Sequence, residues 1–364
     1  MKRLDKWIGC PLLFVLGLFH RKRKMIDLGG IKTPKIVFIK TAAIGDTVIL
    51  SAMADEIKRQ YPKSHITVIC SNNNVSMVKL IRNVDDVSVF VMKRPLQSFT
   101  ELKRLGHFNL LLDFGPWPRI NGMISWNICA DYKVGFKRAR MHRHYIYDQW
   151  VEHLDSVHEL DNYRNVLRGA GIEPAGLLPY FESGKHDIAE EAPYVVFHQY
   201  PGGSMENQRK WAEHCWLELG QRLYRMYHVR ILLSGANADA ENAERTTNLL
   251  RKSGIPAKNI AGKYALGDMI AVLAKAKLVV SVNTGIMHLA AAVRVPLVAL
   301  HGATSEVRWG PVGDTSIVVK SGEACQPCIS LGFESNCKNP VCMKNITVNM
   351  VMEKVQMLMN ARDI

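Results

Sequence analysis

Residues 278–311 restrict the fold more than any other stretch of the chain. Leu278-Val-Val-Ser-Val282 is an uninterrupted apolar run of buried-strand type, and Asn283-Thr284-Gly285 breaks it. Ile286-Met-His-Leu-Ala-Ala-Ala292 then has the small-residue composition of a closely packed helix. Leu297-Val-Ala-Leu300 repeats the apolar strand and leads into Gly302-Ala-Thr-Ser305. Strands apolar on both faces, joined through a helix, belong to a parallel sheet covered on both sides. Ligands bind outside the carboxyl ends of such strands, and a helix N-terminus offers free N–H groups to a phosphate. The unit therefore reads as a nucleotide-phosphate cradle.

The same alternation runs through the rest of the chain. Strand signals occur at Lys35–Lys40, His65–Cys70, Val87–Met92 and Leu110–Phe114, with a helix from about Thr47 to Gln60. A polar, acidic stretch from Lys185 to Pro193 marks a linker, and the pattern restarts with Tyr194–His198 and Val229–Ser234, with helices between. Strands alternating with helices give a parallel α/β sheet. A chain of 364 residues is long enough for two such domains. The expected architecture is two doubly wound domains facing one another across a cleft. The boundaries are an N-terminal segment 1–30, a first domain 31–185, a second domain 190–346 and a C-terminal helix 347–364.

The charge is unevenly placed. Of 47 Lys and Arg and 33 Asp and Glu, residues 1–150 hold 25 basic and 11 acidic ones, while the remainder is balanced. The first half thus faces something anionic, unless the excess serves solubility alone. Trp7 to Phe19 is apolar and flanked by Lys2, Arg3, Lys6 and by Arg21-Lys22-Arg23-Lys24. It is too short to span a bilayer and lacks the cleavage site of a signal peptide. It suits an interfacial segment on a membrane surface, or else a helix packed on the protein's own core. Lys133 to His144 carries five Lys or Arg, two His and no acid. Only Phe136 interrupts that run, so the interleaved aromatics of a nucleic-acid stacking platform are missing.

The turns after the strands hold the chemistry. Gly45-Asp46 follows the first strand, and its carboxylate serves either as a general base or as a cap for the next helix. Tyr200-Pro-Gly202-Gly-Ser204 follows the first strand of the second domain, where glycine permits close backbone approach to a ligand. Arg209-Lys210-Trp211 sets two cations beside an aromatic, suited to a diphosphate or to a solvated helix start. Gly235-Ala236 with Asp239 and Glu241 lines a nucleoside pocket or forms a charged first turn. No Gly-x-Gly-x-x-Gly or Walker sequence follows the first strand, which argues against NAD and NTP-hydrolysing enzymes. No Asp-x-Asp pair calls for a divalent ion.

Taken in order, these turns resemble glycosyltransferase family 9, the bacterial ADP-heptose:lipopolysaccharide heptosyltransferases. The resemblance covers about residues 35–350. It rests on Lys40-Thr-Ala-Ala-Ile-Gly-Asp46, on Arg209-Lys210-Trp211 with Trp216, on Ser281-Val-Asn-Thr-Gly-Ile-Met-His288-Leu-Ala, and on Gly302-Ala-Thr with Trp309-Gly-Pro311. Leu4-Asp-Lys-Trp-Ile-Gly9 looks like extensions found on some members.

The resemblance implies a GT-B fold with acceptor on the N-terminal domain and nucleotide-sugar on the C-terminal one, and inverting transfer without a catalytic metal or cofactor. Asp46 would deprotonate the acceptor, and Arg209 or Lys210 would offset charge on the departing diphosphate. Thr284, Gly285 and the helix they open would hold the diphosphate, with His288 nearby. Gly45, Gly202, Ser204, Gly235, Tyr264 and Asn283 complete the donor side. Lys137, Arg138, Arg140 and Arg143 are the acceptor candidates, suited to an anionic, phosphorylated glycolipid. The expected setting is the cytoplasmic face of the bacterial inner membrane, with ADP-heptose as donor and the lipopolysaccharide core as acceptor. Two positions depart from the family: Asn283 stands where Asp is common, and Arg209 where Lys is usual. A transferase using another nucleotide-sugar for a surface polysaccharide or glycolipid is the alternative that Asn283 keeps open.

Eight cysteines are present. Cys325-x2-Cys328-x8-Cys337-x4-Cys342 has the look of a structural zinc tetrathiolate, the other reading being free thiols. Cys10, Cys70, Cys129 and Cys215 are scattered packing residues.

Overall fold

The structure, a computed structural model, describes residues 9–182, 190, 193–203, 205–331, 335 and 337–360. It divides into two compact units, Met1–Pro179 and Tyr180–Ile364. Residues 1–8, most of the 185–193 linker and Ser204 lie outside the described residues.

The first unit opens with helix α1 (Gly9–Phe19). Strand β1 (Lys35–Ile39) then leads into helix α2 (Ile44–Gln60). Strands β2 (His65–Cys70) and β3 (Asp86–Val89) follow, then helix α3 (Pro95–Lys103), strand β4 (His107–Asp113) and helix α4 (Ile120–Asn127). Strands β5 (Cys129–Lys137) and β6 (Gln149–Glu152) and helix α5 (Glu159–Gly169) close the unit. The strands lie side by side as β3-β2-β1-β4-β5-β6, all parallel. From Ile36 onward β1 is wholly buried, as its apolar run requires of a central parallel strand.

The second unit repeats this plan. Strand β7 (Tyr194–His198) precedes helix α6 (Glu213–Tyr227), strand β8 (Arg230–Ser234) and helix α7 (Ala240–Lys252). Strand β9 (Ala257–Asn259), helix α8 (Leu266–Lys275) and strand β10 (Leu278–Val282) come next. Helix α9 (Gly285–Ala292), strands β11 (Leu297–Leu300) and β12 (Ser316–Val319) and helix α10 (Val348–Asn360) complete it. Its sheet runs β12-β11-β10-β7-β8-β9, again parallel throughout.

Counted from each unit's own first strand, both sheets have the order 3-2-1-4-5-6 of the doubly wound fold. The strand order reverses between β1 and β4 in one unit and between β7 and β10 in the other. At those reversals neighbouring strands send their connections to opposite faces and leave a crevice at their carboxyl ends. The core of the second unit stacks Phe197, Trp211 and Trp216 beneath that point, with Trp216 only 1% exposed and its ring 5.0 Å from Phe197 and 5.1 Å from Trp211.

Candidate functional site

In the first unit the chain leaves β1 at Lys40, whose buried ammonium donates to Asp46 Oδ1 at 2.8 Å and to the Phe114 carbonyl, just beyond β4, at 3.3 Å. Lys40 thus ties together the two strand ends at the reversal. Tyr163, on α5, donates its hydroxyl to the same Asp46 oxygen at 3.2 Å, and Lys40 Nζ sits 5.0 Å from the Tyr163 ring centre. Asp46 Oδ2 accepts the Ala43 main-chain N–H at 3.3 Å, which caps α2. The carboxylate is therefore a helix cap on one oxygen and held by two side chains on the other, with its side chain 18% exposed. Nothing in the sequence pointed to Tyr163, which lies 117 residues from Asp46.

Behind this point sits a buried ion pair. Arg143 donates to Asp113 Oδ2, to the Gly115 carbonyl and to the Tyr147 hydroxyl, and Tyr147 donates to Asp113 as well. Burial opposes the guanidinium charge, but Asp113 and Tyr147 raise its pKa above the ordinary arginine value. Arg143, an acceptor candidate in the sequence, is 1% exposed and held in this internal network. Its charge is needed inside, where an unpaired Asp113 would be costly. Lys133 is buried too, donating to the Ser125 and Ile128 carbonyls at the end of α4, and burial lowers its pKa to about 8. The basic run is thus not one open loop, since β5 takes it as far as Lys137. Lys137 lies over the Trp150 ring, 4.0 Å from its centre, and Arg138 pairs with both oxygens of Asp155. Arg140, with a φ of 62°, is exposed.

In the second unit Arg209 spans the strand reversal. Its Nη1 donates to the Asn283 carbonyl, after β10, at 3.0 Å, and its Nη2 to the Gly202 carbonyl, after β7, at 2.6 Å. Lys210 turns the other way, to Glu206 Oε1 at 2.8 Å and Asn207 Oδ1 at 3.1 Å, and its side chain is 44% exposed. The geometry separates two cations that the sequence left as a pair. Trp211 anchors them by donating from Nε1 to the Ile346 carbonyl at 2.8 Å.

Thr284 caps α9, its hydroxyl accepting the Met287 N–H at 3.4 Å. Gly285 opens that helix and His288 is buried one turn in. Asn283 Nδ2 lies 3.3 Å from both ring nitrogens of His301 and donates to the Trp309 carbonyl at 3.3 Å. Burial pushes the His301 imidazole down to about 4, so it is neutral near pH 7 and accepts from the amide. His301, which the sequence reading missed, follows β11 directly and lies beside the crevice.

Other expected donor residues are less central. A Cβ on Gly235 would come within 2.9 Å of Asp239 Cβ, so close packing explains that glycine, and Asp239 caps its own turn through the Ala236 N–H. Tyr264 lies beyond edge strand β9, where its hydroxyl donates to the buried Glu190 at 2.6 Å. Burial and Glu190 together push that phenol up to about 12.

The cysteine segment lies over the turn after β11. Cys328 donates its N–H to the Ala303 carbonyl, and a Cβ on Gly302 would meet Met343 and the Cys342 sulfur. All eight cysteines are free. Among the described residues no three or more His, Cys, Asp or Glu are arranged to hold a metal ion, so the thiols as placed do not form the expected tetrathiolate. Cys342 is buried while Cys325, Cys328 and Cys337 are exposed. Burial, then the neighbouring cysteines Cys325 and Cys328, pushes the Cys342 thiol up to about 11.

Two parallel sheets of this order, each with polar turns at its reversal, make a two-domain α/β fold of the GT-B type. The family model described as "Glycosyltransferase family 9 (heptosyltransferase)" matches residues 130–338, and the chain belongs to that family. Lipopolysaccharide heptosyltransferase 1 of Pseudomonas aeruginosa is 34% identical over 39% of this chain and 38% of its own length. Lipopolysaccharide core heptosyltransferase OpsX of Haemophilus influenzae is 22% identical over 90% of this chain and 98% of its own. The solved structure of E. coli ADP-heptose lps heptosyltransferase II superposes with a TM-score of 0.71 at 18% identity, covering 91% of this chain and all of that one. This last likeness is one of fold.

Proposed function

We propose that this enzyme transfers heptose from ADP-heptose to the inner core of lipopolysaccharide, with inversion and without a catalytic metal. The observation that carries the reading is the match along nearly the whole length of OpsX, a lipopolysaccharide core heptosyltransferase. The acceptor hydroxyl attacks the anomeric carbon while Asp46 takes its proton, and the bond to the ADP oxygen breaks with its electron pair leaving on the diphosphate. Lys40 and Tyr163 fix the carboxylate for that step. Arg209, already bridging the two turns, offsets the charge that grows on the diphosphate. The N-terminus of α9, behind Thr284 and Gly285, supplies main-chain N–H groups to the phosphates. Asn283, presented beside neutral His301, faces the donor sugar or nucleotide. Lys137, Arg138 and Arg140 meet the anionic acceptor at the cytoplasmic face of the inner membrane.

The test is a donor panel. With a truncated lipopolysaccharide acceptor, ADP-heptose should be consumed and the acceptor should gain the mass of one heptose, with EDTA present throughout. Consumption of a different nucleotide-sugar with no heptose gain would instead support the surface-polysaccharide reading, for which Asn283 is the specific observation.

A further inference from the structure

A helix that is apolar on every side is ordinarily buried on every side, but α1 is not. Gly9-Cys-Pro-Leu-Leu-Phe-Val-Leu-Gly-Leu-Phe19 carries no charged residue. Its inner side is seated on the first unit: Leu13 is buried with Ile146 and Tyr147, and Leu16 packs against that cluster beside Met123 and Trp126. Its outer side is Pro11, Phe14, Val15, Leu18 and Phe19, whose spacing of three and four residues places them on one face. Phe14 is 52% exposed, Leu18 69% and Phe19 73%. Tyr145, 37% exposed and edge-on to Phe14, extends the patch. Contiguous exposed apolar surface of this kind marks an interaction face.

The surroundings say what covers it. Residues 9–25 include no Asp or Glu, and Arg21, Lys22 and Lys24 stand exposed directly after the helix. His142 and His144 both lie against the Tyr145 ring, at 5.8 and 4.2 Å, and burial first, then Lys137, lowers the His144 pKa. Apolar side chains rimmed by such cations match an anionic bilayer: acyl chains take the first and lipid phosphates attract the second.

We propose that α1 lies in the headgroup boundary of an anionic membrane, with Phe14, Val15, Leu18 and Phe19 inserted and Arg21, Lys22, Lys24 and Arg140 against lipid phosphates. The helix does not cross, because 11 residues fall far short of a hydrocarbon layer about 30 Å thick. It is also built into the basic stretch beside it. A Cβ on Gly17 would lie 2.5 Å from Tyr145 Cβ, and Arg119, packed against Gly9, donates to the Arg140 carbonyl at 2.7 Å. Helix and basic stretch are packed together, which sets Arg140 and His142 at the headgroup plane where a lipid-anchored acceptor would present its sugars. That last step rests on the proposed glycolipid acceptor; the docking itself does not.

The test uses the full chain and sedimentation with phosphatidylethanolamine–phosphatidylglycerol vesicles, against phosphatidylcholine vesicles. The wild type should bind the anionic vesicles, more weakly as salt rises. Leu18→Asp/Phe19→Asp and Lys22→Glu/Lys24→Glu should each lose about tenfold or more in vesicle affinity, with unchanged thermal midpoints because those side chains are exposed. Leu18→Asp/Phe19→Asp should also keep turnover on acceptor stripped of its acyl chains and lose it on vesicle-borne acceptor. Absence of wild-type binding to anionic vesicles, or equal binding by both variants, overturns the docking. So does a wild-type dimer that the Asp variant dissociates while vesicle binding stays unaffected, since the face would then join two copies of the chain. Lack of transfer to any acceptor, with vesicle binding intact, overturns the proposed reaction and leaves the docking standing.

Discussion

The Arg209 guanidinium donates to the main-chain carbonyl of Asn283, 74 residues away, at 3.0 Å. With its second contact at Gly202 it locks together the turns that follow β7 and β10, the two strands between which the sheet reverses. A planar fork can hold two carbonyls and still direct charge into a crevice, whereas an ammonium acts as a point charge. Arginine at this position is thus accounted for by what it bridges.

Arg209→Ala should lower kcat by about 100-fold or more, the scale of losing one preorganised donor to developing charge. Lys210→Ala should change it by less than about threefold, since an exposed ion pair contributes little. Steady-state kinetics with the donor varied decides between the two cations. Equal losses would mean that both reach the diphosphate.

Lys40→Met and Tyr163→Phe should each reduce kcat by about tenfold or more while leaving the donor KM within about twofold, because both groups hold Asp46 and neither lies in the unit proposed to hold the donor. A rise in donor KM with kcat preserved would remove them from the proton-transfer apparatus.

Arg143→Ala should destabilise the protein by about 3–5 kcal/mol, the usual effect of stranding one partner of a buried ion pair. Arg140→Ala, on the exposed side of the same stretch, should stay within about 0.5 kcal/mol of wild type. Urea unfolding measures both. An Arg143 variant of wild-type stability would return that residue to the acceptor surface.

Much of this arrangement was legible in the sequence and some was not, for identifiable reasons. The central strands β1, β7, β10 and β11 announce themselves as apolar runs because both their faces are buried. β5 does not, since Asp131, Lys133 and Lys137 give it the look of a basic loop. It is a strand because its main chain pairs with β4 from His107 to Asp113, while Lys133 finds carbonyl partners at the end of α4. Asp46 was visible as a carboxylate in a turn with two readings open. The cap is now seen, and the base is argued from Lys40 and Tyr163. Long-range partners such as Asp113–Arg143 and Asp46–Tyr163 leave no local pattern to read. The cysteine spacing suggested a tetrathiolate, but spacing alone does not fix where thiols point.

Burial pushes the His198 and His301 imidazoles down to about 4. Below about pH 6.5 the unfolded chain therefore binds protons that the native state refuses until about pH 4. Stability should be full above about pH 6.5 and decline as pH falls toward 4, by on the order of 3 kcal/mol per histidine. Urea midpoints taken across that window check the sign. A midpoint that rises as the solution is acidified would contradict it.

The central claim, heptosyl transfer with Asp46 as base, is most directly tested by Asp46→Asn in a single-turnover experiment with ADP-heptose and a truncated lipopolysaccharide acceptor. ADP affinity is measured calorimetrically on the same sample. The account predicts that the wild type adds one heptose mass to the acceptor, and that the variant loses transfer by about 1000-fold while binding ADP as the wild type does. A variant that still transfers heptose at a rate near wild type would contradict it.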